Sequence, residues 1–142
     1  MFDTAYSELQ CLPSALYFAT IADFNDILIE KEENFPKQTE RNRIIYRENG
    51  ISRIYSIPVI KDKTKIKRAY KEIQIDYTED WVNQFFKILK TNYSKTPFYE
   101  YYIDHIFDEL HVRDHNLMSL NLKLLTLCLK MLRLDIQIDS TP

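Results

Sequence analysis

The sequence predicts an α+β fold, a small N-terminal sheet that includes a β-hairpin, backed by three C-terminal helices. Three observations carry this. Strand-like patterning occupies residues 27–77 and helix-like patterning residues 79–134, without regular alternation of the two. Asn49-Gly50 lies between two alternating segments, and both central residues of a type I′ turn need positive φ, which Asn and Gly tolerate. Beyond residue 78, apolar residues recur at helical spacing behind polar residues suited to capping.

Taken in order, residues 22–29 read as a helix end followed by a short strand at 27–29. The hairpin follows, with strands over 43–48 and 51–57 and Glu48 opposite Ile51. One of its faces carries Ile44, Tyr46, Arg53 and Tyr55; the other carries Arg43, Ile45, Arg47, Ser52, Ile54 and Ser56. Pro58 has no N–H to give and ends the ladder. Residues 73–77 alternate as a further strand. Thr78 is the expected cap of the first long helix, with Trp81, Phe85, Ile88 and Leu89 along its buried stripe. Thr96-Pro97 is expected to open the second helix, with proline at its first position. Asp114 is expected to start the third, which runs to about Arg133. Its polar residues Ser119, Lys123, Thr126, Lys130 and Arg133 form one wet stripe on an otherwise apolar rod.

The chain has 142 residues, 45% apolar and 28% charged, which suits a single domain spanning 1–142 and argues against disorder. It contains one glycine, where about ten would be usual. Neither G-x-G-x-x-G nor a Walker P-loop can be written with one, which excludes those nucleotide sites. A net charge of −2 leaves no global basic footprint, and no nucleic-acid partner is expected. Residues 1–6 lack a basic n-region and an apolar h-region, so no secretory signal is read there. Lys123 and Lys130 interrupt the most apolar stretch, so no membrane span is expected. The two cysteines, Cys11 and Cys128, need no disulfide, and the expected location is cytoplasmic.

Candidate chemistry is sparse. Cys11 and Ser14 have no G-x-S-x-G and no early histidine to activate them. His111 and His115 stand four apart across an expected helix boundary without a zinc motif, so no metal site is expected, and no cofactor follows from the residues. Residues 61–71 hold six cations with Asp62 as their one acid, which reads as a solvated loop or as one that closes over a phosphate or sugar-nucleotide diphosphate. The densest polar stretch, residues 30–43, feeds the hairpin. Arg41 and Arg43 have period-2 spacing and reach one face, with Arg47 further along, and their forked donors match carboxylate or phosphate. The same spacing also fits a charged face on an exposed hairpin.

Four stretches resemble the WbqC-like family. Leu12-Pro13-Ser14-Ala15-Leu16-Tyr17-Phe18 is similar to its opening L-P-x-x-x-Y-F. Glu32-Glu33-Asn34-Phe35-Pro36-Lys37-Gln38-Thr39-Glu40-Arg41-Asn42-Arg43 is similar to its E-N-[YF]-x-K-Q-[ST]-x-R-N-R core, the most specific part. Asp76-Tyr77-Thr78-Glu79-Asp80-Trp81 leads into its tryptophan helix, and Lys95-Thr96-Pro97-Phe98-Tyr99-Glu100-Tyr101-Tyr102 is similar to K-x-P-F-[FY]-x-Y-Y. Together they span residues 12–102, and the leucine-rich 121–132 also fits.

The resemblance implies a bacterial enzyme of surface-polysaccharide (O-antigen-like) biosynthesis, acting on a sugar or nucleotide-sugar by acyl or aminoacyl transfer. The alternative is a non-catalytic binding or assembly protein using the same surface, and a second copy of the chain is among the expected partners. The family's polar core falls on Asn34, Lys37, Gln38, Arg41, Asn42 and Arg43 as substrate-binding residues. Glu32 and Glu33, the neighbouring carboxylates, are the candidate acid/base groups. Where relatives read roughly W-x-x-Q-H-W, this chain has Phe85 at the histidine, which has no ionisable nitrogen and continues the Trp81 stripe.

Overall fold

The structure, a computed structural model, describes residues 2–142. Strand β1 (Phe2–Ser7), helix α1 (Ala15–Ile21) and strand β2 (Phe24–Ile29) form a β-α-β unit. The hairpin β3 (Arg43–Glu48) and β4 (Ile51–Ser56) follows, then a single 3₁₀ turn over Tyr70–Glu72. Helices α2 (Trp81–Tyr93), α3 (Tyr99–His111) and α4 (Leu117–Met131) and a last strand, β5 (Gln137–Ser140), complete the chain. The α+β class and the three C-terminal helices are as expected.

The hairpin is a separate two-stranded sheet and not, as expected, part of the N-terminal sheet; the other sheet has three strands. β2 lies between β1 and β5 and pairs with both in parallel, Ala5 opposite Ile27 and Ile27 opposite Ile138. β2 also begins at Phe24, three residues before the expected strand. Neither β1 nor β5 has an apolar run of its own: both are edge strands ordered by β2, whose Ile27 and Ile29 are buried. The hairpin has the expected register, Glu48 opposite Ile51, and Asn49 and Gly50 take φ of 49° and 78°.

Three helix starts and one strand differ from the expectation. Thr78 does not cap α2; its N–H and hydroxyl both donate to Asp76 Oδ1, a turn that delivers the chain to Asp80, the residue before the helix. Thr96 finishes α2 rather than opening α3, its hydroxyl donating to the Tyr93 carbonyl at 2.6 Å. Phe98, at φ 68°, makes the corner, so Pro97 lies outside α3. Asn116 caps α4, accepting from the Ser119 N–H at 3.0 Å, while Asp114 accepts from the Asn116 N–H, the Ser119 hydroxyl and, at 2.8 Å, Lys123 Nζ. Residues 73–77 are extended but make isolated bridges instead of a strand. The Ile75 N–H bonds the His115 carbonyl on one side, and the Asp76 N–H bonds the Pro58 carbonyl on the other. Their alternation still places Ile73 and Ile75 inside.

One core joins these parts. Ile27 and Ile29 of β2, Ile57, Ile73, Ile75, Trp81 and Phe85 pack with Leu117, Leu120, Leu124, Leu125 and Leu129 of α4. Each such side chain stabilises the fold by about 1.5–3 kcal/mol. Lys123, Thr126, Lys130 and Arg133 form the exposed stripe of α4, with Ser119 half-buried at its start. Tyr55 seats the hairpin on α2, stacked on Phe85 at 5.0 Å with its hydroxyl donating to the Trp81 carbonyl at 3.0 Å.

A β-carbon at Gly50 would meet no atom within 4 Å, so a substitution there acts through torsion alone. Gly50→Ala is expected to lower stability by about 1–2 kcal/mol in urea unfolding, with the denaturant slope unchanged.

Candidate functional site

The polar string leaves β2 at the C-terminal edge of the parallel sheet, and its first task is to hold that edge together. Arg41 is the hub, its side chain only 12% exposed. Nε and Nη2 donate to the two carboxylate oxygens of Glu33, each at 2.9 Å, and Nη1 donates to Thr39 Oγ1 at 2.8 Å. Glu8, just past β1, lies 3.3 Å from Nη2. The guanidinium also sits 5.7 Å from the ring centre of Tyr70. Forked, charge-assisted pairs of this kind are the strong ones.

Beneath the hub is a buried polar layer. Asn121, fully buried in α4, donates through Nδ2 to the Arg41 carbonyl at 2.7 Å and to Tyr70 Oη at 2.6 Å. Tyr70 Oη in turn donates to the Leu9 carbonyl at 2.7 Å. Burial, opposed in part by the Asn121 bond, pushes the Tyr70 hydroxyl far above its ordinary range, so it stays a neutral donor. Asn42 clamps the hairpin base: Nδ2 donates to the Ile57 carbonyl at 3.0 Å and the Ile57 N–H returns to the Asn42 carbonyl at 2.7 Å.

Above this frame lie two adjoining clefts of about 710 and 680 Å³, whose walls share Gln10, Ser14, Leu16 and Glu40. The first runs along the edge strand β1 from Thr4 to Glu8, against Leu16, Tyr17, Thr20 and Ile21 of α1. Ser7 Oγ and Tyr17 Oη lie 2.6 Å apart there, and burial raises the Tyr17 hydroxyl despite that bond. The second runs between residues 10–16 and the hairpin face bearing Arg43, Ile45, Arg47 and Ser52, with Tyr93 of α2 closing one end. The Arg47 N–H donates to Tyr93 Oη at 2.7 Å. Arg43 and Arg47 are four residues apart on one strand face, hence about 13 Å along it. A separate apolar pocket of about 270 Å³, lined by Leu89, Pro97, Phe98, Tyr99 and Tyr102 among others, also has Tyr93 in its wall.

The expected site residues therefore divide. Arg41, Asn42 and Glu33 belong to the frame. Glu32 is exposed and ion-paired with Lys71. Asn34, Lys37 and Gln38 are exposed, with Asn34 bridged through its backbone to Ala69 and Gln38 at φ 53°. Of the string, Glu40 and Arg43 line the groove. Glu8 and Tyr93 carried no site signal in the sequence. Tyr93 extends the Leu89 stripe by one turn, whereas Glu8 reaches the hub only because β1 and β2 pair. Cys11 is buried, and burial pushes its thiol well above the range of a reactive thiolate. Ser14 accepts from the Tyr17 N–H as the cap of α1. Among the described residues no group of three or more His, Cys, Asp or Glu side chains is gathered for a metal.

Residues 10–142 match the WbqC-like protein family. No curated protein and no solved structure matches the chain.

Arg41→Ala would leave Glu33 and Glu8 without their partner and is expected to cost about 2–3 kcal/mol in urea unfolding. Arg43→Ala, on the groove wall, is expected to stay within about 0.5 kcal/mol of wild type. Equal losses would make the whole string structural.

Proposed function

We propose that this chain, which belongs to the WbqC-like family, binds a sugar or nucleotide-linked sugar in the groove above the Arg41 frame and modifies it in bacterial surface-polysaccharide biosynthesis. The observation that carries the reading is the pairing of Arg43 and Arg47 on one wall with Glu40, Gln10 and Ser14 on the other. Two forked cations suit phosphate oxygens, while a carboxylate, an amide and a hydroxyl suit a polyhydroxylated ring. Arg41, Asn42 and Glu33 hold the walls in place, while Asn34, Lys37 and Gln38 are exposed and line neither cleft.

Acyl or aminoacyl transfer is the reaction favoured. The apolar pocket that shares Tyr93 with the groove has room for a short acyl chain while the sugar lies against the arginines. A sugar hydroxyl or amine would bond to the acyl carbonyl carbon, the bond to the donor's leaving group would break, and the proton would pass to that group. Glu40, within both clefts, is the best-placed carboxylate for the proton. Glu33 is committed to Arg41 and serves position, and Glu32 lies further out, paired with Lys71.

A second reading, a non-catalytic assembly protein, is favoured by one observation. Ile45 and Ile54 are cross-strand partners on the hairpin, and both are more than half exposed. On that reading Ile54→Lys would abolish self-association in sedimentation, with ligand binding unchanged.

Thermal shift and calorimetry against nucleotide sugars, sugar phosphates and acyl carriers test the first reading. A nucleotide sugar is expected to stabilise the wild type, with affinity falling about 10- to 100-fold in Arg43→Ala through loss of one charge-assisted bond. No shift from any of these ligands, or a shift that Arg43→Ala and Arg47→Ala leave intact, would overturn it.

A further inference from the structure

We propose that the basic loop over residues 60–68 docks this protein on an anionic lipid surface, with Ile66 entering the interface among the surrounding lysines. Ile66 is fully exposed. A lone exposed isoleucine is ordinary on a protein surface; this one has Lys61, Lys63, Lys65, Lys67 and Arg68 within five residues of it. Lys61, Lys63 and Lys67 make no ion pair among the described residues, and Lys65 has only Glu72 at 3.5 Å between two exposed side chains.

The loop is built to present these groups. Asp62, its one acid, is turned to local use, accepting from the Thr64 N–H at 2.9 Å and the Thr64 hydroxyl at 2.6 Å. Arg68 Nη1 closes the base on the Ile60 carbonyl at 2.7 Å. The Ile60 N–H donates to the Gln74 carbonyl at 2.9 Å, and the Phe35 N–H to the Arg68 carbonyl at 2.8 Å. A concavity of about 500 Å³ is lined by four cations, Lys61, Lys63, Lys65 and Arg68, and two acids, Asp62 and Glu72, which leaves it net positive with room for a headgroup phosphate.

Charge complementarity selects the occupant. The chain as a whole carries −2, so attraction to an anionic surface has to come from this patch rather than from the net field. A soluble phosphate would use the cations but gain nothing from Ile66 in water. Nucleic acid would use the cations against its phosphates but, with no stacking aromatic in residues 60–68, would gain nothing from Ile66. A bilayer uses both features, cations at the headgroups and an apolar side chain below them. The backbone ties from Phe35 and Asn34 to the loop base would place the polar string near that surface. The inference stands apart from the reading of the groove.

The test is co-sedimentation of the full chain with vesicles of phosphatidylcholine alone and of phosphatidylcholine with phosphatidylglycerol, at low and high salt. Binding is expected to the anionic vesicles only, weakening as salt rises. Removing both charges with Lys63→Gln and Lys67→Gln is expected to lower the partition coefficient about 25-fold, near fivefold per lysine. Ile66→Ser, which keeps every charge, is expected to lower it about tenfold while leaving the salt dependence unchanged. These side chains are exposed, so all variants should melt like the wild type. Absence of binding to anionic vesicles at low salt would overturn the proposal. So would binding that is indifferent to Ile66→Ser and displaced by glycerol phosphate, which would mark a soluble-phosphate site, or equally tight retention on duplex DNA.

Discussion

The Arg41 guanidinium is the constraint on which the rest of this structure depends. It is held by both oxygens of Glu33, by Glu8 and by Thr39, over the face of Tyr70. Those partners come from the end of β1, the exit of β2, the string itself and the turn before residue 73, and Asn121 adds α4 from below. Four points along the chain are thereby tied together against the helical layer. Ion pairs away from bulk water gain strength only when their remaining donors and acceptors are satisfied. Here the bidentate geometry and the hydroxyl of Thr39 account for most of the guanidinium's donors.

That commitment decides what is left for chemistry. An arginine engaged on several sides has little to offer a ligand, so the groove's positive wall falls to Arg43 and Arg47, whose side chains lie on the hairpin face away from the core. Asn42 sits between the two roles, clamping the hairpin base so that this face stays aligned with residues 10–16. The string thus works as a hinge between frame and groove: its odd-numbered arginines point to different tasks although their spacing alone would put them on one face. Residues 39–42 form a turn, the Asn42 N–H donating to the Thr39 carbonyl, and β3 begins only at Arg43, so strand alternation does not extend back to Arg41.

The legible parts of the sequence were those governed by local rules. The hairpin followed from Asn49-Gly50, its groove-side face from alternation, and the rod of α4 from its wet stripe. The helix starts differ where a residue two or three positions upstream supplies the hydrogen bond: Asp76 draws Thr78 into a turn, and Tyr93 draws Thr96 to the end of α2. β1 and β5 were invisible because each is ordered by pairing with β2, across α1 for β1 and across most of the chain for β5, and neither has a strong apolar pattern. The site was half legible. The string was found by its density of forked and amide side chains, but Glu8 joins it only through sheet pairing, and the division between frame and groove residues required the fold.

The most direct test of this account is a double-mutant cycle between Arg41 and Glu33, using Arg41→Ala, Glu33→Ala and both together in urea unfolding. The account predicts a coupling energy of about 1.5–3 kcal/mol, the range of a close, hydrogen-bonded charge pair. A coupling near zero would mean that the pair is an ordinary surface contact, and that the groove's walls are held by something other than the Arg41 hub.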